Sequence, residues 1–312
     1  MRGEPSRKDL ARTARRRLFS FVNCNQATIS TQRDHLGVTL PMLLKASSHL
    51  EGGCFSHGST CGVVSGGCLA LALRHLADLR EGNPGKIAAF HELTKEYTSW
   101  FAATFGSTIC RERTGCSFTT LGGMVRYALG GRFLRCVAHT GRAACFLAEL
   151  EERPLGEVGS RGPGDPFHCS REVLRRLRGA TGAGDDSFEA LYVCMDGGVG
   201  LSGGLCGAAA AGMLPLGWLY GLDPEEAGFA ANLAAFTRGH RNIFRGREER
   251  ELFSLGDRFI RGWLAEFGSL ECRDLTGRRF GSWWELADFA REAEVCARAR
   301  EYAMSAAMGL LA

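Results

Sequence analysis

The chain carries one cysteine pattern twice, and this internal duplication constrains its fold more than any other feature. Cys24 and Cys61 lie 37 residues apart, and so do Cys169 and Cys206. A shift of 145 residues carries the first pair onto the second. The same shift carries five glycines of one copy onto glycines of the other: Gly52, Gly53, Gly58, Gly62 and Gly67 onto Gly197, Gly198, Gly203, Gly207 and Gly212. A repeat of this length predicts two similar structural units.

The duplication extends to two further cysteine pairs. The segment Phe105-Gly-Ser-Thr-Ile-Cys110-Arg reappears as Phe267-Gly-Ser-Leu-Glu-Cys272-Arg. Cys136 and Cys296 follow, each 24 to 26 residues beyond the third cysteine of its copy. Eight of the thirteen cysteines therefore occupy paired positions. Features that both copies kept while they diverged have the stronger claim to a function.

The chain is long enough for two units with sizeable cores. Residues 151–166 are rich in glycine, proline and charge, which is typical of a linker. We therefore predict a first four-cysteine unit at residues 1–150, a linker at 151–166 and a second four-cysteine unit at 167–312.

Helical periodicity predominates in both copies. Apolar residues recur at steps of three and four within 24–50, 61–80, 85–105 and 118–148, and alternation with period two is scarce. In the second copy, Asp223-Pro224 has the composition of a helix start. The sequence predicts an all-α protein in which two tandem helical-bundle units form a pseudo-dimer and pack on each other.

Composition and charge limit the function classes. A net charge of +4 is spread through both copies, which does not favour nucleic acid as a partner. The uncharged stretch 197–222 contains Pro215, and its counterpart carries charged residues, so we predict a buried helix rather than a membrane span. Arg15-Arg16-Arg17 precedes polar residues instead of the apolar region of an export signal, which predicts a cytoplasmic protein. Many cysteines without a secretion signal indicate thiol or metal chemistry.

The local setting of the paired cysteines favours charged sulfur. Cys24 and Cys169 are predicted in the first turn of a helix, where free N–H groups favour a thiolate. Cys110 and Cys272 each precede an arginine, Arg111 or Arg273, whose charge would do the same. Cys61 and Cys206 follow glycine-rich turns. The glycines beside them permit close backbone approach, so that amides there could bind a sulfur anion or a cofactor: Gly62, Gly66, Gly207 and Gly212.

The first copy resembles the C_GCAxxG_C_C family, whose members are described as redox-active. The resemblance rests on Asn23-Cys24-x-Gln-Ala, Cys61-Gly-x-x-x-Gly66, Phe105-Gly-Ser-x-x-Cys110 and Cys136, within about residues 12–148. It extends more loosely over 166–310, so the chain resembles a tandem fusion of two units. The resemblance implies helical units and carries over eight cysteines: Cys24, Cys61, Cys110, Cys136, Cys169, Cys206, Cys272 and Cys296. Val63 and Ala211 depart from the motif, and the first copy keeps it more faithfully.

Three functions remain open. The clustered cysteines could exchange thiols and disulfides or transfer electrons with a redox partner protein. Four thiolates could instead bind zinc or an iron–sulfur cluster, although neither copy has the Cys-x-x-Cys spacing. The chain could also be a non-catalytic helical interaction module with structural cysteines. The sequence identifies no substrate, partner or cofactor, and it does not decide whether the protein is an enzyme.

Several unpaired patterns are predicted to be coincidental. Cys54, His57 and Cys68 resemble metal ligands near Cys61, but the second copy lacks the first two. Residues 198–203 match a dinucleotide-binding fingerprint, and 200–204 match a nucleophile elbow. Both need a strand before the turn, which the helical periodicity does not support. Cys68, Cys116, Cys145 and Cys194 are predicted to be structural.

Overall fold

The computed structural model describes residues 6–159 and 167–312. Within these ranges, α-helices and two 3₁₀ segments are the only regular elements, apart from two isolated β-bridges. The all-α prediction is confirmed. In chain order the helices are α1 (Arg7–Phe21), α2 (Cys24–Leu36), α3 (Leu43–Ala46), α4 (Gly62–Arg74), α5 (Leu76–Glu81), α6 (Pro84–Phe105), α7 (Cys110–Thr114), α8 (Leu121–Leu129), α9 (Arg132–Glu151), α10 (Cys169–Thr181), α11 (Asp186–Leu191), α12 (Gly207–Tyr220), α13 (Pro224–Arg245), α14 (Leu252–Phe267), α15 (Cys272–Thr276), α16 (Trp283–Glu292) and α17 (Glu294–Leu311). The 3₁₀ segments are Ser47–Gly53 and Tyr192–Met195.

Helix starts follow local side-chain chemistry. The Asp223 carboxylate accepts a hydrogen bond from the Glu225 backbone N–H at 2.9 Å, and Pro224 is the first residue of α13. The Asn23 side chain caps α2 by accepting from the Gln26 N–H at 3.0 Å. Cys24 is therefore the first residue of its helix, as the sequence predicts.

Helix ends differ from the prediction at glycines and at one histidine. The stretch 24–50 breaks at Gly37, whose left-handed φ of 66° ends α2. Residues 118–148 divide into α8 and α9 at Gly130-Gly131. Residues 61–80 divide at His75. The break at Gly130-Gly131 matters for the site, because it places Cys136 near the start of α9.

The turn before each second cysteine has the same form in both copies. An isolated bridge pairs Thr60 with Ile109, and its counterpart pairs Leu205 with Glu271. Backbone bonds then hold the second and third cysteines side by side: Cys110 N–H donates to the Ser59 carbonyl, and Cys272 N–H to the Gly204 carbonyl. This turn explains why the match to nucleotide-binding and elbow motifs is coincidental, since a 3₁₀ segment stands where those motifs need a strand.

Two duplicated glycines are needed for that turn. Gly58 and Gly203 have φ of 78° and 76°, where side chains are strained. A Cβ at Gly58 would lie 2.8 Å from Cβ of Arg111, and one at Gly203 would lie 3.0 Å from Cβ of Arg273. The third cysteine segment therefore packs on the glycine turn through its arginine.

The two copies share one large hydrophobic core that includes residues of both. Hydrogen bonds also join the two copies across their interface, which we call the seam. The Gln26 amide donates to the Leu222 carbonyl at 2.8 Å, and the Leu205 N–H donates to the Thr60 hydroxyl at 2.7 Å. The copies therefore pack on each other as predicted. Their division into separate units at 151–166 stays a prediction, and 160–166 lie outside the described residues.

The second copy has a longer helix between its second and third cysteines. These are 49 residues apart in the first copy and 66 in the second. The six-residue α5 of the first copy is matched in position by the 22-residue α13. Helix α13 packs against α1, where the Asn232 amide donates to the Ser20 carbonyl at 3.1 Å. The added helix of one copy thus covers the other.

The stretch 197–222 forms a glycine-rich turn followed by α12, with Pro215 inside a buried helix. Among the described residues, no helix combines the length and the apolar character that a membrane crossing requires.

Candidate functional site: two cysteine clusters

Four cysteines of the first copy come together at the ends of four elements. Cys24 begins α2, Cys61 precedes α4, Cys110 begins α7 and Cys136 lies in the second turn of α9. A Cβ on Gly62 would lie only 2.5 Å from the Cys24 sulfur, which places that sulfur against the start of α4. All four are free thiols. We call this group the first cluster.

Arg113, which the sequence analysis did not select, lies inside the first cluster. Its Nη2 donates to the sulfurs of Cys61 and Cys136, each at 3.2 Å, and its Nη1 lies 2.7 Å from His139 Nδ1. Arg113 is half-buried, its Nε is shielded from solvent, and within residues 6–159 and 167–312 it forms no ion pair with a carboxylate. An arginine stays protonated in proteins, and a buried charge needs a compensating partner. The geometry therefore stabilises negative charge on the two sulfurs.

The signal that could have revealed Arg113 is its spacing. It lies three residues after Cys110 in α7, which puts both on one helical face. The duplication hid it, because Leu275 occupies the matching position of the second copy.

Burial opposes the expected effect of the helix starts. Desolvation raises the pKa of Cys24, and the neighbouring Cys61 raises it further. Burial also raises the pKa of Cys110. The prediction that a helix start favours the thiolate is wrong for Cys24 and Cys169, because the loss of water outweighs the helix dipole. The prediction that a following arginine favours the thiolate is wrong for Cys110 for the same reason.

The arginines expected beside the third cysteines form ion pairs across the seam instead. Arg111 donates to both carboxylate oxygens of Glu271, at 2.8 and 2.9 Å. Arg273 donates to Glu112 at 2.8 Å. Their guanidinium groups therefore tie the two copies together, and the residue that contacts sulfur is Arg113.

A cavity of about 260 Å³ opens beside the first cluster. Cys24, Cys110, Cys136 and Arg113 line it on one side. Its other walls are mainly apolar and come from four helices and the residue after α1: Leu18 of α1, Val22, Met124, Tyr127 and Ala128 of α8, Phe133 of α9 and Phe236 of α13. A ligand with an apolar body could therefore reach three of the four sulfurs.

Glu51 also lines this cavity and belongs to a chain of hydrogen bonds. Ser56 Oγ lies 2.7 Å from Glu51 Oε1 and 2.9 Å from His240 Nε2. His240 Nδ1 faces the Phe236 carbonyl at 2.9 Å, so Nδ1 carries the proton and Nε2 of the neutral ring accepts. The single Ser56 proton then goes to His240, and Glu51 must donate to Ser56. Burial raises the pKa of Glu51 to about 7 and lowers that of His240 to about 4, in agreement with this assignment.

The four cysteines of the second copy also come together. Cys169 begins α10, Cys206 precedes α12, Cys272 begins α15 and Cys296 lies in the first turn of α17. Electrostatic coupling links Cys206 and Cys296 to Cys272. Burial raises the pKa of all four, that of Cys296 to about 12. We call this group the second cluster.

An acidic residue stands beside each cluster at matching positions. The 145-residue shift carries Glu51 onto Asp196. Asp196 accepts from the Ser170 backbone N–H at 3.0 Å and from the Ser170 hydroxyl at 2.8 Å, and His168 Nδ1 lies 2.7 Å from its other oxygen. After burial, Asp196 is the strongest cause of the raised pKa of Cys169. Both acids directly precede a duplicated glycine, which is a signal that sequence analysis could have used.

The glycines predicted to bind a cofactor contact protein atoms. A Cβ at Gly66 would meet the Asn25 carbonyl at 2.7 Å, and one at Gly207 would meet the Met195 carbonyl at 3.0 Å. A Cβ at Gly212 would lie 3.0 Å from Ala303. Together with Gly62, these glycines allow close helix packing around the clusters. A role in cofactor binding stays a prediction.

The remaining metal-like pattern does not converge. Cys54 Sγ lies 3.6 Å from the Met213 sulfur across the seam. His57 Nε2 pairs with Asp257 at 3.1 Å. The side chains of Cys54 and His57 therefore have partners elsewhere, as expected for a coincidental spacing.

Comparison with known proteins gives one family. The family model described as "Putative redox-active protein (C_GCAxxG_C_C)" matches residues 22–150 and again residues 167–309. No curated protein and no solved structure matches the chain. The two matches cover most of the chain and both cysteine clusters. The chain therefore belongs to the C_GCAxxG_C_C family, and it contains two tandem copies of the family unit.

Proposed function

We propose that the first cluster reduces disulfides by thiol–disulfide exchange, with Cys136 as the attacking thiolate and Cys61 as the resolving cysteine. The observation that carries this proposal is the contact of one Arg113 nitrogen with both sulfurs. Because each sulfur lies 3.2 Å from the same atom, the two sulfurs are no further apart than twice that distance. Cys136 lines the cavity, whereas Cys61 is fully buried, which distinguishes their roles.

The Cys136 thiolate attacks a substrate disulfide RSSR′, forming a mixed disulfide Cys136–S–S–R and releasing R′S⁻. R′S⁻ takes the proton of Glu51. Once Cys136 is neutral, Arg113 is left to compensate charge on Cys61, whose proton passes to the Glu51 carboxylate. The Cys61 thiolate then attacks the Cys136 sulfur, forms the Cys61–Cys136 disulfide and releases RS⁻. Two electrons pass to the substrate, and an external dithiol restores the thiols.

The Arg113 contacts favour this chemistry over a four-thiolate metal site in the first cluster. A guanidinium bonded to two of the sulfurs would repel a divalent cation bound by the same sulfurs. In the part of the chain that the structure describes, no three cysteine sulfurs lie close enough to share an ion. Free thiols at all thirteen cysteines further suit a reducing compartment such as the cytoplasm.

We assign the second cluster a structural role in the same proposal. Leu275 replaces Arg113, and the pKa of each thiol is raised by burial. Arg300 lies near Cys206 and Cys296 but donates to the Ala290 carbonyl and stacks over the ring of Phe167. Protonated thiols react slowly with disulfides.

Trapping the mixed disulfide tests the proposal. Reduced protein is mixed with a chromogenic aromatic disulfide, and the products are mapped by mass spectrometry. We expect wild type to end with a Cys61–Cys136 disulfide, Cys61→Ser to stop with the probe on Cys136, and Cys136→Ser to lose the fast reaction. Cys206→Ser, the matched change in the second cluster, should behave as wild type. Accumulation of the probe on a cysteine of the second cluster would contradict the proposal.

A further inference from the structure

A second group of potential ligands lies at the seam, next to the second cluster, and contains no cysteine. His91 comes from α6 of the first copy, His168 directly precedes α10, and Asp196 follows the 3₁₀ segment Tyr192–Met195 of the second copy. One ligand atom of each lies within 4.8 Å of the other two. In residues 6–159 and 167–312, this is the single group of three or more such residues close enough to share a metal ion.

These three side chains are sealed from solvent. The exposed fraction is 0% for His91, 3% for His168 and 0% for Asp196. Neither ring nitrogen of His91 has a hydrogen-bond partner among the described residues, and the same holds for His168 Nε2. Buried polar atoms without partners are costly and rare in folded proteins, so three at one point need an explanation.

The surroundings hold the three groups in position. The Ser170 N–H and hydroxyl bond one Asp196 oxygen, which directs the other oxygen at His168 Nδ1. The Trp283 ring stacks on His91 with a centroid distance of 5.8 Å and on His168 at 5.3 Å. Such outer contacts fix the orientation of metal ligands in known sites.

We propose that His91, His168 and Asp196 bind one divalent transition-metal ion that links the two copies. Two imidazoles and a carboxylate are a common ligand set for zinc and related ions, and they would not select calcium or magnesium. The ion would bond His168 Nε2 and one ring nitrogen of His91, which are otherwise unpartnered. Because the group is sealed and its ligands come from both copies, the ion binds as the seam closes during folding.

Two substitutions separate a metal site from ordinary core packing. His91→Phe keeps a ring of similar size against Trp283 and removes both unpartnered nitrogens. His168→Asn restores the residue of the first copy, because the 145-residue shift carries Asn23 onto His168, and Asn23 caps its own helix. His75→Gln is the control, since His75 is also buried but lies outside the group.

The test is the zinc content of the full chain after expression in zinc-supplemented medium, followed by cobalt substitution during refolding. We expect wild type and His75→Gln to hold one more ion per chain than His91→Phe and His168→Asn, with at least a tenfold weaker affinity in those two. Bound cobalt should give visible bands without the near-ultraviolet thiolate transitions of cysteine ligation. A chelator should lower the melting temperature of wild type and of His75→Gln, but not that of His91→Phe or His168→Asn.

Equal metal content in wild type and His91→Phe would overturn the proposal. It would also be overturned if His91→Phe melted at the same or a higher temperature, because core packing predicts that loss of two unpartnered nitrogens stabilises the protein. Cobalt bands of thiolate type that survive in His91→Phe would place the ion at the cysteines instead. None of these results depends on disulfide reduction by the first cluster.

Discussion

The first and second clusters differ less in their cysteines than in the charges around them. Each has four thiols at matching helix starts. In the first, Arg113 contacts two sulfurs and a cavity gives access to three. In the second, Leu275 stands in place of the arginine, and Asp196 raises the pKa of Cys169 beyond the effect of burial. The two clusters thus share their cysteine arrangement, and the feature that distinguishes the first is a cation in contact with two of its sulfurs.

The acid beside each cluster shows the same divergence. Glu51 faces a serine and a histidine in a chain that requires it to be protonated, whereas Asp196 accepts two hydrogen bonds from Ser170. His240, which completes the chain of hydrogen bonds from Glu51 through Ser56, belongs to α13 of the second copy. The first cluster therefore depends on the added helix of the other copy, and a single family unit would lack this contact.

The largest expected effect concerns Glu51 and pH. Burial raises its pKa from 4.5 to about 7, so between these values the unfolded chain releases a proton that the folded chain keeps. Unfolding free energy should therefore fall as pH rises from about 4.5 to 7, by about 3 kcal/mol in total. Glu51→Gln should lack this loss. Urea unfolding at a series of pH values measures this pH dependence. If the unfolding free energies of wild type and Glu51→Gln changed with pH in parallel, Glu51 would not be the group that keeps the proton.

The next effect concerns the cation that distinguishes the clusters. Arg113→Leu gives the first cluster the residue of the second. The rate of alkylation of Cys136 at pH 7 should fall about 10- to 100-fold, because the guanidinium no longer stabilises the thiolate. Mass spectrometry of quenched alkylation reactions reports the rate. Arg111→Leu is the control: it removes the same charge two residues away without touching these sulfurs, and its rate should stay near that of wild type.

A smaller effect, on unfolding free energy, is expected at the glycines that follow the second cysteines. A Cβ on Gly62 would lie 2.5 Å from the Cys24 sulfur, whereas one on Gly207 would have its nearest contact at 3.0 Å. Gly62→Ala should cost about 1–3 kcal/mol of unfolding free energy through overpacking, and Gly207→Ala should cost less. Chemical denaturation measures both. A larger loss for Gly207→Ala would show that the second copy is packed more tightly.

The smallest contrast is expected at the glycine turns. Gly58 and Gly203 have nearly the same positive φ and similar contacts with an arginine Cβ. Substitution of either by alanine should cost about 1–2 kcal/mol, with little difference between them. Thermal unfolding tests this equality. A clear difference would mean that the turns, as well as the charges, have diverged.

Local features explain what could be predicted. Capping by Asn23 and Asp223, and the periodicity of α6, depend on residues a few positions apart. The duplicated spacing selected the eight cysteines that form the clusters. It could not select Arg113 or His240, because neither is duplicated and His240 reaches the first cluster from the other copy.

The sequence by itself determined the helical class, the two copies and the eight paired cysteines, because periodicity, caps and repeat spacing are properties of short stretches or of their repetition. The tertiary structure decided the chemistry. Burial raised the pKa of most paired thiols, against the expectation from helix starts, because desolvation depends on everything that packs around a sulfur. Folding also brought together residues that no local pattern relates: Arg113 with Cys61 and Cys136 in one copy, and His91 with His168 and Asp196 across the seam.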